Sequence, residues 1–317
     1  MTRPASTHPT KQKPAARKNT RQHLYADPLI YDILHQDGTL DDVRLFERLA
    51  KKFGRKNTSS WLEPACGSGR YLLALAKRNQ LAIGLDTSAD MLAYLRSEAT
   101  QLGKDADARV KTLCGTMERF SLKGLAPNAK VDAAFNPINS IRHLATDRAM
   151  ISHLRCIKAS LNDRGVYIVG MSLSAYGLED ITEDIWNGSR IIELPAHSPR
   201  NTPHSETTKP HRVKVHVTQV VQFLPPTTDS KGAWKRRERV LSHLTISESP
   251  VSPRVKATEP TTHHRDSAYW LRTYNKNEWE TVVAKAGMKI LHTCSNTGEP
   301  MPAKEPGYYL YVLGANL

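Results

Sequence analysis

Glu63, Gly67, Gly69 and Asp86 form the group of residues in this 317-residue chain whose types and spacing point most directly to chemistry. They stand in Leu62-Glu63-Pro64-Ala65-Cys66-Gly67-Ser68-Gly69-Arg70 and in Leu81-Ala82-Ile83-Gly84-Leu85-Asp86. The first stretch reads as a buried strand and a glycine turn, followed by a helix from Tyr71 to Arg78. The second reads as an apolar strand ending in a carboxylate. Gly67 and Gly69 allow backbone to approach a ligand where a Cβ would collide. The helix behind them points free N–H groups at whatever occupies the turn. Asp86 follows Gly69 at a distance that puts an acid at a strand end, where it can accept both hydroxyls of a ribose. A dinucleotide fingerprint would need a third glycine where Leu72 stands. Glu63, at the strand tip, points elsewhere: it can accept from an ammonium group, which a methionine moiety carries and a pyrophosphate does not.

On these residues the first stretch resembles motif I of the class I S-adenosylmethionine-dependent methyltransferases. Gly84-Leu85-Asp86-Thr87-Ser88 through Met91-Leu92 resembles the adjoining motif II, and Ala65 replaces a glycine common in that family. The resemblance implies S-adenosyl-L-methionine as cofactor. Glu63, Ala65, Gly67 and Gly69 would line its methionine end, with Arg70 in reach of its carboxylate. Asp86 would hold the ribose, and Thr116 and Met117 would flank the adenine, Thr116 standing where related enzymes often carry an acid. Cys66, Thr87, Met91 and Asn136 complete the expected cofactor shell.

The segment Asn136-Pro137-Ile138-Asn139-Ser140-Ile141-Arg142-His143-Leu144 reads in two ways. Asn136-Pro137 resembles the Asn-Pro-Pro-aromatic box of enzymes that methylate planar amino groups, but Ile138 and Asn139 replace the second proline and the aromatic. Asn139 to Leu144 resembles a stretch of small-molecule N-methyltransferases, of the glycine N-methyltransferase and amino-sugar N,N-dimethyltransferase type. Tyr31-Asp32-Ile33-Leu34-His35 is similar to an N-terminal box of those enzymes. Leu271-Arg272-Thr273-Tyr274 with Trp279 is similar to the opening of their late helix. The resemblance covers roughly residues 24–175 and 268–314. It implies that Asn139 and His143 sit near the sulfonium and that Tyr31 closes over it, which makes these three the expected catalytic residues.

The elements that must position these residues follow from periodicity and punctuation. Leu24 to His35 and Leu40 to Phe53, behind a Thr39 cap, read as helices over the cofactor mouth. A helix from Ala89 to Leu102 lies between a Ser88 cap and a Gly103 stop. Strands follow at Ala108–Cys114, Val131–Phe135 and Val166–Met171, with a helix from Asp147 to Leu161 capped by Thr146. This alternation predicts an α/β fold, Rossmann-like, with a seven-stranded and mostly parallel sheet covered by helices on both faces. Arg212–Phe223 and Arg236–Ile246 then alternate as an antiparallel hairpin, with a shorter strand near Ile191–Leu194. Asn275-Lys276-Asn277-Glu278 opens a helix to Ala286 as a capping box. Met288–Cys294 and Tyr308–Leu313 supply the last strands. The expected organisation is a disordered basic arm at 1–22, a core at 23–175 and 268–317, and an antiparallel lid subdomain at 176–267.

The net charge of +14 is confined to two regions. Residues 1–23 carry six Lys/Arg and no acid, and residues 185–265 carry thirteen Lys/Arg against six acids, which leaves the remainder at +1. The expected core is therefore nearly neutral, and a nucleic-acid partner is not favoured. Lys235-Arg236-Arg237 reads as an exposed strand edge blunted by charge. The histidines at 197, 204, 211, 216, 243, 263 and 264 read as solvated loop residues without metal-ligand spacing, so no metal is expected. Cys66, Cys114, Cys156 and Cys294 read as reduced core thiols. No apolar run reaches bilayer length and the N-terminus lacks a secretory signal, so a cytoplasmic protein without a membrane partner is expected. Oligomeric state and the acceptor are not legible. The expected activity is in-line methyl transfer to a small-molecule acceptor, with nitrogen favoured. An RNA or protein methyltransferase that uses the tail and insertion, and a non-catalytic cofactor-binding module, remain as alternatives.

Overall fold

Side-chain caps and glycine stops set most of the element boundaries in the computed structural model, which describes residues 24–194, 211–251 and 260–315. A 3₁₀ turn at Leu24–Ala26 precedes α1 (Pro28–His35), because Asp27 accepts from the Ile30 N–H and Pro28 fits the first helical turn. α2 (Thr39–Phe53) is capped by Gly38 and not by Thr39, whose hydroxyl donates to the Gln36 carbonyl at 2.6 Å. β1 (Ser60–Pro64), α3 (Arg70–Lys77), β2 (Leu81–Asp86) and α4 (Ala89–Gln101) follow, with Ser88 accepting from the Met91 N–H. Gly103 opens a further short helix, α5 (Lys104–Arg109), so β3 begins only at Val110 (Val110–Cys114). Next come β4 (Val131–Asn136), α6 (Asp147–Ser160) behind its Thr146 cap, and β5 (Leu161–Leu173).

The chain then makes four long strands: β6 (Thr182–Leu194), β7 (His211–Leu224), β8 (Arg237–Pro250) and β9 (Thr261–Arg272). It closes with α7 (Lys276–Lys285), which carries the expected capping box between Asn275 and Glu278, then β10 (Met288–Cys294) and β11 (Gly307–Ala315).

The seven-stranded sheet runs β10-β11-β5-β4-β1-β2-β3, with parallel pairing from β5 through β3 and β11 antiparallel to β5. It separates two cores. Phe46, Tyr71, Leu72, Leu95 and Phe135 lie in one, and Leu62, Leu85, Met150, Tyr167 and Trp279 in the other. β1 and β4 are buried along their whole length because helices cover both faces, and the polar residues they carry, Ser60, Glu63, Asp132 and Asn136, are buried with them.

The second sheet, β6-β7-β8-β9, is antiparallel throughout. The expected hairpin is its centre, but β6 is far longer than expected and β9 was not foreseen. The sheet also continues to Arg272, beyond the expected boundary at 267. β6 and β9 are edge strands with mostly solvent-facing side chains, so backbone pairing defines them without an apolar alternation. β8 is central and not an edge: Arg236 pairs with Asp147 at 3.0 Å and Glu278 at 2.8 Å, and Arg237 lies over the Trp270 ring. His216, His243, His263 and His264 sit on strands and not in loops, while His197 and His204 lie outside the described residues. Cys66 and Cys294 are buried, but Cys114 is exposed, at the solvent end of β3. No helix among the described residues is long and apolar enough to cross a membrane.

The two sheets are joined through α1. Ile30, Ile33 and Leu34 pack on Val213, Val215, Val217, Leu244 and Ile246. α1 also crosses β6 at Gly188, where a Cβ would lie 2.0 Å from the Ile33 carbonyl oxygen. Gly188→Ala should therefore force the second sheet off α1 and lower stability by about 1–3 kcal/mol, the usual cost of overpacking. Gly115→Ala, whose Cβ would meet only Leu85 at an ordinary 3.5 Å, meets no such contact. Thermal denaturation of the two variants side by side checks the difference.

Candidate active site

The turn 65–69 is held in shape by Asp86. One carboxylate oxygen accepts from the Gly67 N–H at 2.8 Å and the other from the Ser88 N–H at 2.8 Å. A carboxylate has about four acceptor directions, so two remain for a ribose diol. Gly67 and Gly69 both have positive φ, 52° and 74°. Their Cβ positions are filled by Tyr31, whose ring carbon lies 3.0 Å from that of Gly67, and by Leu95 of α4 at 2.4 Å from that of Gly69. Ala65 also takes a left-handed conformation, which explains why glycine serves equally well there.

Glu63 and Asn136 close the far end of the turn. Both are buried, at 5% and 2% exposure, and both present an acceptor without a partner: Glu63 Oε2 and Asn136 Oδ1. The Asn136 amide donates to the Pro64 carbonyl at 2.7 Å, which orients its oxygen. Burial raises the Glu63 carboxyl well above the ordinary range. Arg70 pulls it down and Asp86 pushes it up, but burial dominates. Two buried acceptors lacking donors beside a ribose-type acid fit an ammonium-bearing nucleoside, the group that Glu63 was expected to hold.

Arg70 stands beside that space, near enough to act on Glu63, but its hydrogen bonds are made elsewhere. Its guanidinium donates to the His35 and Asp37 carbonyls, the Thr39 hydroxyl and the Tyr71 hydroxyl, and so staples the α1–α2 junction. These bonds engage the donors that the sequence reading offered to a cofactor carboxylate. The Cys66 side chain packs inward on Gly84, leaving backbone as that residue's outward face. Thr87 and Thr116 are exposed, Met91 is buried in the first turn of α4, and Met117 packs at the margin of the core beneath Thr116.

Next to the turn lies a cleft of about 790 Å³ between the two sheets. Tyr31, Asn139 and His143 all line it, so the three residues expected to act together are brought to one space. Asn139 exchanges two hydrogen bonds with Ser172, at 2.9 and 2.8 Å, and acts as a strut to β5. Tyr308 donates to the Pro137 carbonyl, which occupies the acceptor that the Asn-Pro box reading would need. His143 makes edge and tilted ring contacts with Tyr25 and Tyr269, and it makes no hydrogen bond to a described residue. Burial, and then Arg142, lower its pKa from the ordinary 6.5, so its ring is neutral at pH 7.

Several residues of the site were not read from the sequence. His35 lies one helical turn beyond Tyr31, with ring centres 4.5 Å apart, and that four-residue spacing was the signal available. Asp32 is buried. It accepts from Ser68 of the turn at 2.9 Å, Tyr94 of α4 at 3.0 Å and Arg190 of β6 at 2.8 Å, and so ties turn, lid helix and insertion together. Tyr25, Tyr269, Trp186, Glu179 and Glu238 enter from segments with no readable motif.

Comparison with known proteins agrees with this geometry. Residues 62–165 match a family described as a methyltransferase domain. The chain is 32% identical over 142 residues to dTDP-3-amino-3,6-dideoxy-alpha-D-glucopyranose N,N-dimethyltransferase of Streptomyces fradiae, a match that covers 44% of this chain and 51% of that enzyme. The chain thus spans about half the length of the curated relative it matches. Among solved structures, the sugar N-methyltransferase KedS8 from Streptoalloteichus is similar with a TM-score of 0.59 at 17% identity, covering 96% of this chain and 99% of that one. DesVI of Streptomyces venezuelae gives 0.59 at 16% identity, over 91% and 96%. CcbJ methyltransferase from Streptomyces caelestis gives 0.57 at 15%, over 87% and 96%. The fold is that of the class I methyltransferases.

Glu63→Gln keeps the shape of the strand tip and removes the charge that an ammonium would meet. Its affinity for S-adenosylhomocysteine should fall by about ten- to a hundred-fold, the worth of one hydrogen bond to a charged group. Its thermal stability should be unchanged or higher, because a buried ionisable group is lost. Isothermal calorimetry and a melting curve on the same preparation check both.

Proposed function

We propose that the class I methyltransferase domain formed here transfers a methyl group from S-adenosylmethionine to the nitrogen of a small amino-sugar-like acceptor held in the cleft beneath the second sheet. The observation that carries this reading is the pair of unpartnered buried acceptors, Glu63 Oε2 and Asn136 Oδ1, near Asp86 and beside a cleft of about 790 Å³, room for a small acceptor. Support for nitrogen and for a sugar comes from the activities for which the relative and the neighbour KedS8 are named.

The sulfonium supplies an already activated methyl group, so the protein's work is alignment and exclusion of water. Glu63 and Asn136 take the ammonium end and Asp86 the ribose hydroxyls. Tyr31, seated against Gly67, covers the turn and separates it from solvent. An amine attacks only when neutral, so an ammonium acceptor must give up one proton before the N–C bond forms and the sulfonium leaves as a thioether. His143 is placed in the cleft with a neutral ring and can accept that proton. No serine–histidine or paired-carboxylate arrangement is required by such a displacement. A chain that only bound the nucleoside would give no labelled product.

Incubation with methyl-labelled S-adenosylmethionine and a set of 3- and 4-amino hexoses should yield N-methylated sugar, and label in no small molecule would refute the reading. His143→Ala should lower kcat by about ten- to a hundred-fold with little change in cofactor affinity. As pH falls, His143 becomes protonated and the rate drops. Because its pKa is lowered, the acidic limb should lie below 6.5 in the wild type and be lost in the variant, as read from the pH–rate profile.

A further inference from the structure

We propose that the acceptor enters this cleft as a free cationic amine, and not joined to a nucleotide diphosphate as the substrate named for the curated relative is. The inference takes the identity of the site from the methyl-transfer reading, but its charge argument stands apart from it. Although the chain carries +14, five charged residues line the cleft among the described residues: Arg142, Glu179, Asp180, Asp184 and Glu238. The single cation is already committed. Arg142 is 3% exposed, pairs with Glu238 at 2.9 Å and donates to the Arg272 carbonyl at 2.8 Å. Among the described residues a diphosphate would therefore meet carboxylates with no free guanidinium or ammonium to neutralise it, the reverse of the usual phosphate site.

The same space suits a cation. Glu179 is fixed by the Ser174 hydroxyl and the Ala175 N–H on one oxygen, and its second oxygen is buried without a partner. Asp180 and Asp184 stand exposed at the mouth. Independently of these acids, His35 lines the cleft at 8% exposure with Nδ1 buried and unpartnered, an acceptor waiting for a donor once its proton rests on Nε2. Its ring is neutral, since burial and then Arg70 press its pKa down to about 3. Tyr25, Tyr31, Trp186 and Tyr269 supply aromatic walls, whose faces attract cations.

The test uses the full chain and its Glu179→Gln/Asp180→Asn/Asp184→Asn variant. Each is titrated by calorimetry with D-glucosamine below its amine pKa, N-acetyl-D-glucosamine and thymidine 5′-diphosphate. Glucosamine should bind the wild type and bind the variant at least about ten-fold more weakly, while the neutral N-acetyl sugar and the diphosphate should bind the wild type less well than glucosamine. Stronger binding of thymidine diphosphate than of glucosamine would overturn the proposal. So would a glucosamine affinity that is absent or indifferent to the three carboxylates. S-adenosylhomocysteine binding is measured on both proteins. Its retention in the variant shows that the variant is folded, and its absence in the wild type defeats the methyl-transfer reading without touching the charge comparison.

Discussion

A carboxyl group buried at the end of a central strand with one oxygen unpaired is the constraint on which the rest of this structure turns. An ionised, unpartnered carboxylate at such depth costs several kcal/mol, on the order of a sizeable fraction of a domain's whole stability. Burial answers by raising the Glu63 pKa, which shifts the group toward its neutral form. What relieves the penalty is a ligand that brings its own positive charge. Asn136 deepens the same demand, since its amide is turned to the Pro64 carbonyl and its oxygen is left facing without a donor. On the proposed reading binding and function share one cause: the carboxyl ends of β1 and β4 are built short of donors, and the ammonium of S-adenosylmethionine would supply them.

Everything around those strand ends keeps them in register. Asp86 spends one hydrogen bond on each side of the crossover and so fixes the distance between the turn and α4. Asp32 extends the same logic outward by joining the turn to Tyr94 and to Arg190 of the second sheet. The lid helix, the cofactor turn and the insertion therefore form one polar network, and movement of one is felt by the others. Arg70 adds a second tie at the α1–α2 junction, which is more useful to the site than a direct contact because it holds Tyr31 above Gly67.

The alternating strands and helices, the glycine turn and the acid at the end of β2 were legible because each is a local pattern with a local cause. Caps at Ser88, Thr146 and Asn275 were legible for the same reason. What escaped the sequence was non-local. Gly103 reads as a stop but also opens α5, since one glycine can serve both ends. β6 and β9 are edge strands whose side chains face water, so no alternation marks them. Arg70 beside Gly69 looked free for a ligand, and only the fold brings the His35 and Asp37 carbonyls to it. His35 and Glu179 belong to the site through the packing of α1 and of the segment before β6, which spacing alone does not reveal.

The central claim is that a ligand's ammonium ionises Glu63. Calorimetry of S-adenosylmethionine binding to the full chain at neutral pH, in two buffers of different ionisation enthalpy, measures the protons exchanged. The account predicts net proton release, because an ammonium favours the ionised carboxylate where burial favours the protonated one. An observed enthalpy independent of buffer, or net proton uptake, would contradict it.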